Sequence, residues 1–198
     1  WFEELGTLDS PTAAAHCVAV SDEDIAILKR HGVNVIHNPT SNLKLGSGFA
    51  PVRKLMDAGI NLALGTDGAG SNNALDMFRE MYLTSVLPKY RENDASAVDA
   101  RSVLGMACVG GARAMGLRDC DGIAAGKKAD LAVIDLHRPN MRPINNISKN
   151  IVYSGSKENV RLTMVNGRVL YENGEFFIGE EPEKIYAEAE KVMETIRS

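Results

Sequence analysis

Along residues 12–88 apolar and polar blocks alternate in a regular order. Residues 12–20 (TAAAHCVAV) are a near-continuous apolar run with one histidine inside it. Such a run reads as a strand buried on both faces, the mark of a parallel sheet. Ser21 stands where a helix N-cap is wanted, with Glu23 and Asp24 in the first turn. The helical spacing of Ile25, Ile27 and Leu28 then runs to Gly32. Residues 33–36 (VNVI) predict a second strand, ending in His37-Asn38-Pro39, and a polar loop leads to Gly48. A helix is expected over 51–58, where Pro51 suits a first-turn position. Residues 62–65 predict a third strand that stops abruptly at Thr66-Asp67. A glycine-broken, amide-rich loop follows to Asn73, and a helix of about a dozen residues starts near Leu75. The order β-α-β-α-β-α means a parallel α/β sheet.

Two helices are predicted next, over 97–108 and 111–117. From Asp121 the character changes to short apolar runs at 131–136, 151–153, 160–165 and 168–171, all strand candidates. Asn166-Gly167 between the last two is a strong two-residue hairpin signal. Residues 182–197 form a charged amphipathic helix with Ile185, Ala189, Val192 and Ile196 on one stripe. The expected divisions are 1–120 (α/β), 121–178 (β-rich) and 179–198 (terminal helix). Residues 1–6 (WFEELG) read as a helix already under way, capped by Gly6 and lacking an initiating methionine. A piece of a longer protein is the expectation.

Composition narrows the classes of function. The chain has 198 residues, 44% hydrophobic and 24% charged, which is ordinary globular composition. A net charge of −4 with interspersed signs argues against a nucleic-acid or anionic-membrane partner. No apolar run approaches the roughly 20 residues of a membrane span, and no secretion leader opens the chain. Cys17, Cys108 and Cys120 are odd in number and lack CxxC spacing, which suits free thiols and the cytoplasm.

Asp67 is the leading candidate for chemistry. A buried strand that ends in a carboxylate before a loop and helix is how barrels and doubly wound sheets present a reactive group. Gly68, Gly70 and Ser71 let a ligand come close, and Ser71 adds a hydroxyl. His16 lies inside the first apolar run, four residues before its end, within reach of the same mouth. An imidazole beside a carboxylate suits proton shuttling. His37 ends the second strand and is a weaker candidate for touching substrate. Its neighbours Asn38, Pro39, Ser41 and Asn42 read as loop scaffolding. His31 suits a helix C-terminus, and His137 needs no functional reading. The loop GTDGAG lacks the lysine and spacing of a nucleotide phosphate loop. A hydrolytic metal takes three or four protein ligands, and this sequence has neither HxH nor HxxE.

The segments AAHCVAVSDEDI, HNPTSNLKLGSGFAPV, LGTDGAGSNN, DGIAAGKKADLAVIDL and MVNGRVLYENG together resemble the amidohydrolase superfamily. Within it the likeness is to the aminohydrolase branch that holds the 5-methylthioadenosine/S-adenosylhomocysteine deaminases, with guanine deaminases and triazine (N-ethylammeline chlorohydrolase-like) hydrolases as near relatives. It covers essentially the whole chain, and His16 and Asp67 stand 51 positions apart, as that pattern leads one to expect. The resemblance implies strands six to eight of a (β/α)8 barrel plus part of a small β-sandwich. Asp67 would then be one of the family's metal ligands, the others lying on strands one and five. His16 would assist the attacking water and the leaving-group proton, and Ser71 would contact a substrate ribose. The implied activity is zinc-assisted deamination of a purine nucleoside, with guanine or s-triazines as the alternative substrates. A piece without the upstream ligands is expected to bind zinc weakly and to be inactive alone. An open half-barrel is expected to associate with itself or with the missing N-terminal half.

Overall fold

The structure is a computed structural model that describes residues 1–197. Three short strands, β1 (Ala13–Ala15), β2 (Asn34–His37) and β3 (Leu62–Leu64), pair in parallel in the order β1-β2-β3. Their register sets Ala15 against Ile36 and Ile36 against Ala63, so all three strands end at one edge. Helix α1 (Asp22–Arg30) connects the first two. Its Ser21 hydroxyl accepts the Asp24 amide at 3.1 Å, and Asp24 accepts the Ser21 amide at 2.8 Å, a complete capping box.

Helices α2 (Pro39–Lys44) and α3 (Val52–Asp57) link β2 to β3, and α4 (Ala69–Asn72) and α5 (Met77–Glu92) follow β3. Asp76 caps α5 by accepting the Phe78 amide at 2.9 Å. Then α6 (Ala100–Gly105), a π-turn (Met106–Gly110) and α7 (Gly111–Ala114) run on as one rod. The core lies between the sheet and these helices. Val35, Leu62 and Leu64 pack with Val52, Leu55, Met81, Val98, Val103 and Met106.

Several local expectations are corrected. The first apolar run is a strand for only three residues and is half-exposed, because β1 is an edge that pairs with β2 alone. Its backbone leaves the sheet through left-handed conformations at His16 (φ 68°) and Cys17 (φ 46°). The polar stretch after His37 holds helix α2, whose Pro39 presets the first turn. Residues 1–6 form turns, not a helix. The apolar run at 151–153 belongs to a helix, α8 (Ile147–Ser154), capped by Asn146 accepting the Lys149 amide at 3.0 Å. It packs on α5 and α6 and buries Val152 there, so its apolar residues serve a helix face. Residues 147–154 thus complete the core of the parallel layer.

The second sheet is antiparallel in the order β4 (Leu131–Ile134), β5 (Val160–Val165), β6 (Arg168–Glu172) and β7 (Glu175–Phe176). Asn166 and Gly167 take positive φ, 49° and 78°, the backbone that a tight hairpin turn requires. Helix α9 (Pro182–Arg197) buries no residue, and Ile185, Val192 and Ile196 are exposed. No helix among the described residues is long and apolar enough to cross a membrane. The three cysteines are free thiols.

One close approach fixes the rod against the sheet. A Cβ at Gly110 would stand 2.0 Å from the Leu62 carbonyl oxygen, whereas one at Gly111 would meet nothing nearer than 4.0 Å. Gly110→Ala is therefore expected to lower the unfolding free energy by about 2 kcal/mol or more. Gly111→Ala, in a helical conformation with open space, should be neutral or stabilising by up to about 1 kcal/mol. Urea titration of the two variants checks the contrast.

Candidate active site

Parallel pairing brings three chemically active side chains to one edge. His16 directly follows β1, His37 is the last residue of β2, and Asp67 comes three residues after β3. Asp67, like His16, holds a left-handed backbone (φ 63°). Such a conformation is uncommon for a residue with a Cβ and is found where the surroundings enforce it, often at functional positions.

The Asp67 carboxylate is held by three donors. Oδ2 accepts the Ser41 hydroxyl at 2.7 Å and the Ser71 hydroxyl at 2.9 Å, and Oδ1 accepts the Gly68 amide at 2.8 Å. The Ser41 hydroxyl, the Gly68 amide and the Ser71 hydroxyl, with a smaller contribution from nearby His16, keep this carboxyl below the usual carboxylate range. The His16 Nε2 lies 3.9 Å from Asp67 Oδ2. Its Nδ1 is 2.7 Å from the Asn42 amide oxygen, so Nδ1–H donates there and Nε2 is left to face the carboxylate. Ser71 has one hydroxyl proton for two acceptors, Asp67 Oδ2 and the Gly68 carbonyl at 3.1 Å.

His37 differs from its neighbours. It is 1% exposed, its ring meets Phe49 edge-on at 6.2 Å between centroids, and neither ring nitrogen has a hydrogen-bond partner among the described residues. Burial, helped by the nearby His16, pushes its pKa down to about 4.

All four residues expected from the sequence therefore stand at the strand-end edge. Three of them, His16, Asp67 and Ser71, are joined by contacts. His16 lies just past the strand end and not within a longer strand. The sequence reading missed Ser41 and Asn42, which are the direct partners of Asp67 and His16. It also missed Glu80, a fully buried carboxylate behind them. The signal for the first two was present: polar residues straight after a strand end, the criterion that singled out Asp67.

Among the described residues no group of three or more His, Cys, Asp or Glu side chains is placed to hold a metal ion. Asp67 and His16 alone do not make up the three or four ligands of a zinc centre. Taken by themselves, the residues present do not fit such a centre.

The α/β architecture is that of a known family. Residues 1–170 match the Amidohydrolase family, and the chain belongs to it. It is 46% identical over 190 residues to a 5-methylthioadenosine/S-adenosylhomocysteine deaminase of Caldanaerobacter subterraneus subsp. tengcongensis, covering 96% of this chain and 44% of that protein. It is 43% identical over 194 residues to a 5'-deoxyadenosine deaminase of Methanosarcina acetivorans, covering 98% and 44%. In three dimensions it is similar to an adenosine deaminase from Xanthomonas campestris crystallised with zinc, with a TM-score of 0.94, 36% identity, and 98% and 44% of the two chains covered. It is also similar to the atrazine chlorohydrolase of Arthrobacter aurescens complexed with zinc, with a TM-score of 0.86, 28% identity, and coverage of 94% and 41%. The chain thus spans less than half the length of these relatives.

Burial of His37 gives a signed pH dependence. Its folded pKa of about 4 lies below the ordinary 6.5, so the unfolded chain takes up a proton that the folded chain refuses as pH falls through that window. Stability is unaffected above pH 6.5 and falls by about 3 kcal/mol on acidification to pH 4. Chemical denaturation at pH 7 and pH 4 should show His37→Gln losing less stability than the unsubstituted chain by about that amount. Equal losses would refute it.

Proposed function

We propose that this chain is the C-terminal portion of a zinc-dependent aminohydrolase that deaminates an adenosine derivative of the 5-methylthioadenosine or S-adenosylhomocysteine type. The observation that carries the reading is a carboxylate held by three donors, with an imidazole 3.9 Å away, at the mouths of parallel strands. The names of similar relatives support the same substrate class.

The reaction exchanges the exocyclic amine at purine C6 for oxygen: water attacks the ring carbon and ammonia leaves. Asp67 stays ionised at neutral pH, accepts a proton from the attacking water and returns it to the departing amine. His16, anchored through Asn42, orients the attacking oxygen and steadies the negative charge that develops on it. Ser71 keeps lone pairs free for a ribose hydroxyl, and His37, closed off at 1% exposure, is a second substrate contact only if its uncommitted ring nitrogens are uncovered. Zinc, where bound, supplies a Lewis acid that lowers the pKa of water to about 7. Asp67 is the one ligand this chain offers, and the remaining ligands come from outside it.

In this reading β1, β2 and β3 are strands six to eight of a (β/α)8 barrel, and β4–β7 are part of a small β-sandwich. The chain divides at about residues 120 and 178, except that α8 returns to the parallel layer, and it works in the cytoplasm. The alternative substrates are guanine or s-triazines, and the likeness to the atrazine chlorohydrolase favours the s-triazines of the two. A third reading, an assembly or binding piece without activity of its own, is favoured for the isolated chain by its incomplete ligand set. Exposed Val133, Val165, Phe176 and Ile196 support association with itself or with an N-terminal half.

The decisive assay measures ammonia release by a protein that contains residues 1–198 together with the further length its relatives have. Methylthioadenosine should be preferred over guanine and a triazine, and Asp67→Asn should reduce turnover at least about 100-fold. Full activity of that variant would reject the assignment. The isolated chain should bind zinc at well below one equivalent and elute in size-exclusion chromatography as a species larger than a 198-residue monomer. Stoichiometric tight zinc or a compact monomer would contradict these expectations.

A further inference from the structure

Glu80 is fully buried in the first turns of α5, and its two carboxylate oxygens serve two different loops. Oε2 accepts the Thr40 amide at 3.0 Å, one of the amides that the first turn of α2 leaves without an intrahelical partner. Oε1 accepts the Asn72 side-chain amide at 2.7 Å. The same Asn72 nitrogen donates to the Thr66 carbonyl at 2.7 Å. Thr40 precedes Ser41, which donates to Asp67, and Thr66 precedes Asp67. The contacts therefore close a ring: Asp67, Ser41, Thr40, Glu80, Asn72, Thr66 and back to Asp67.

We infer that Glu80 is a positioning residue, a clasp behind the site that joins the loop after β2 to the loop after β3 and so fixes where the Asp67 carboxylate points. The inference rests on the deaminase reading for its kinetic consequence, but the clasp itself is a matter of geometry. Two donors converge on Glu80 from separate loops, so two acceptors are needed. Glutamine supplies only one, and its amide group would confront either the Thr40 amide or the Asn72 amide, both of them donors. A buried donor left without an acceptor moves or admits water, and either loop then carries its hydroxyl, Ser41 or Ser71, away from Asp67. Glu80 touches no reacting atom in this scheme. Its effect falls on orientation, which governs turnover more than substrate affinity.

The test compares Glu80→Gln with Met81→Ala, a cavity variant of the adjacent core residue on the same helix, in the activity-competent protein described above. Glu80→Gln should lower kcat about 10- to 100-fold with KM changed less than about threefold, measured well below its melting temperature. Met81→Ala, at an equal or greater loss of Tm, should keep kcat within about twofold. Hydrogen exchange read at the Thr40 amide should show protection in the unsubstituted protein and in Met81→Ala, and its loss in Glu80→Gln. If Glu80→Gln does not fold, Glu80→Asp, which withdraws both acceptors by one methylene, should show the same two losses. Unchanged kcat, a loss of kcat that merely follows Tm in both variants, or retained Thr40 protection overturns the clasp. If the unsubstituted protein releases no ammonia, the deaminase reading fails by itself, and Thr40 exchange alone decides for or against the clasp.

Discussion

The parallel pairing of β1, β2 and β3 is the constraint on which the rest depends. Parallel strands in this register all end on the same side, so residues far apart in sequence meet without any contact having to draw them together. The packing of α5, α7 and the π-turn against the sheet holds that register, with α6 and α8 closing the core behind them. Gly110 sets the closest distance, where the rod of α6 and α7 lies directly on the Leu62 carbonyl. Left-handed turns at His16 and Asp67 then lift both side chains out of the sheet towards each other. These conformations are costly for residues with a Cβ, by about 1–3 kcal/mol each. The packed layer beneath supplies the stability that tolerates them.

Above this frame the chemistry is one of restrained orientation. Asp67 sits among hydroxyl and amide donors from two loops, and His16 is turned by Asn42. Donors of this kind favour the ionised carboxylate and leave few ways for it to rotate. Behind them Glu80 accepts the Thr40 amide and the Asn72 side-chain amide, so the same bonds that complete the interior also tie together the segments that hold the Asp67 carboxylate. The chain that carries it spans less than half the length of the relatives it matches.

Much of this was legible along the chain. The alternation of apolar blocks gave β2, β3, α1 and α3 nearly at their observed limits, and Asn166-Gly167 gave its hairpin. Failures came where a segment's burial did not follow from its own composition. Residues 12–20 are apolar but for Thr12 and His16, yet only three pair, because the backbone turns left-handed at His16 and Cys17 and leaves the sheet. Residues 151–153 have strand-like side chains, but α5 and α6 offered them a helical face to fill. The polar run after His37 looked like loop because its burial is polar: Thr40, Ser41 and Asn42 are enclosed by the site itself.

The sequence by itself determined the α/β class, the strand ends near His37 and Asp67, and the family to which the chain belongs, since periodicity and local turn chemistry are properties of short segments. Only the tertiary structure decided which of these side chains touch. It alone showed that Ser41 and Asn42 are their partners, that the buried His37 ring has no hydrogen-bond partner among the described residues, and that Glu80 joins α2 to α4 through Thr40 and Asn72. Hydrogen bonds between residues 26 to 40 positions apart depend on how layers stack and on which groups lose water, and no local pattern encodes either.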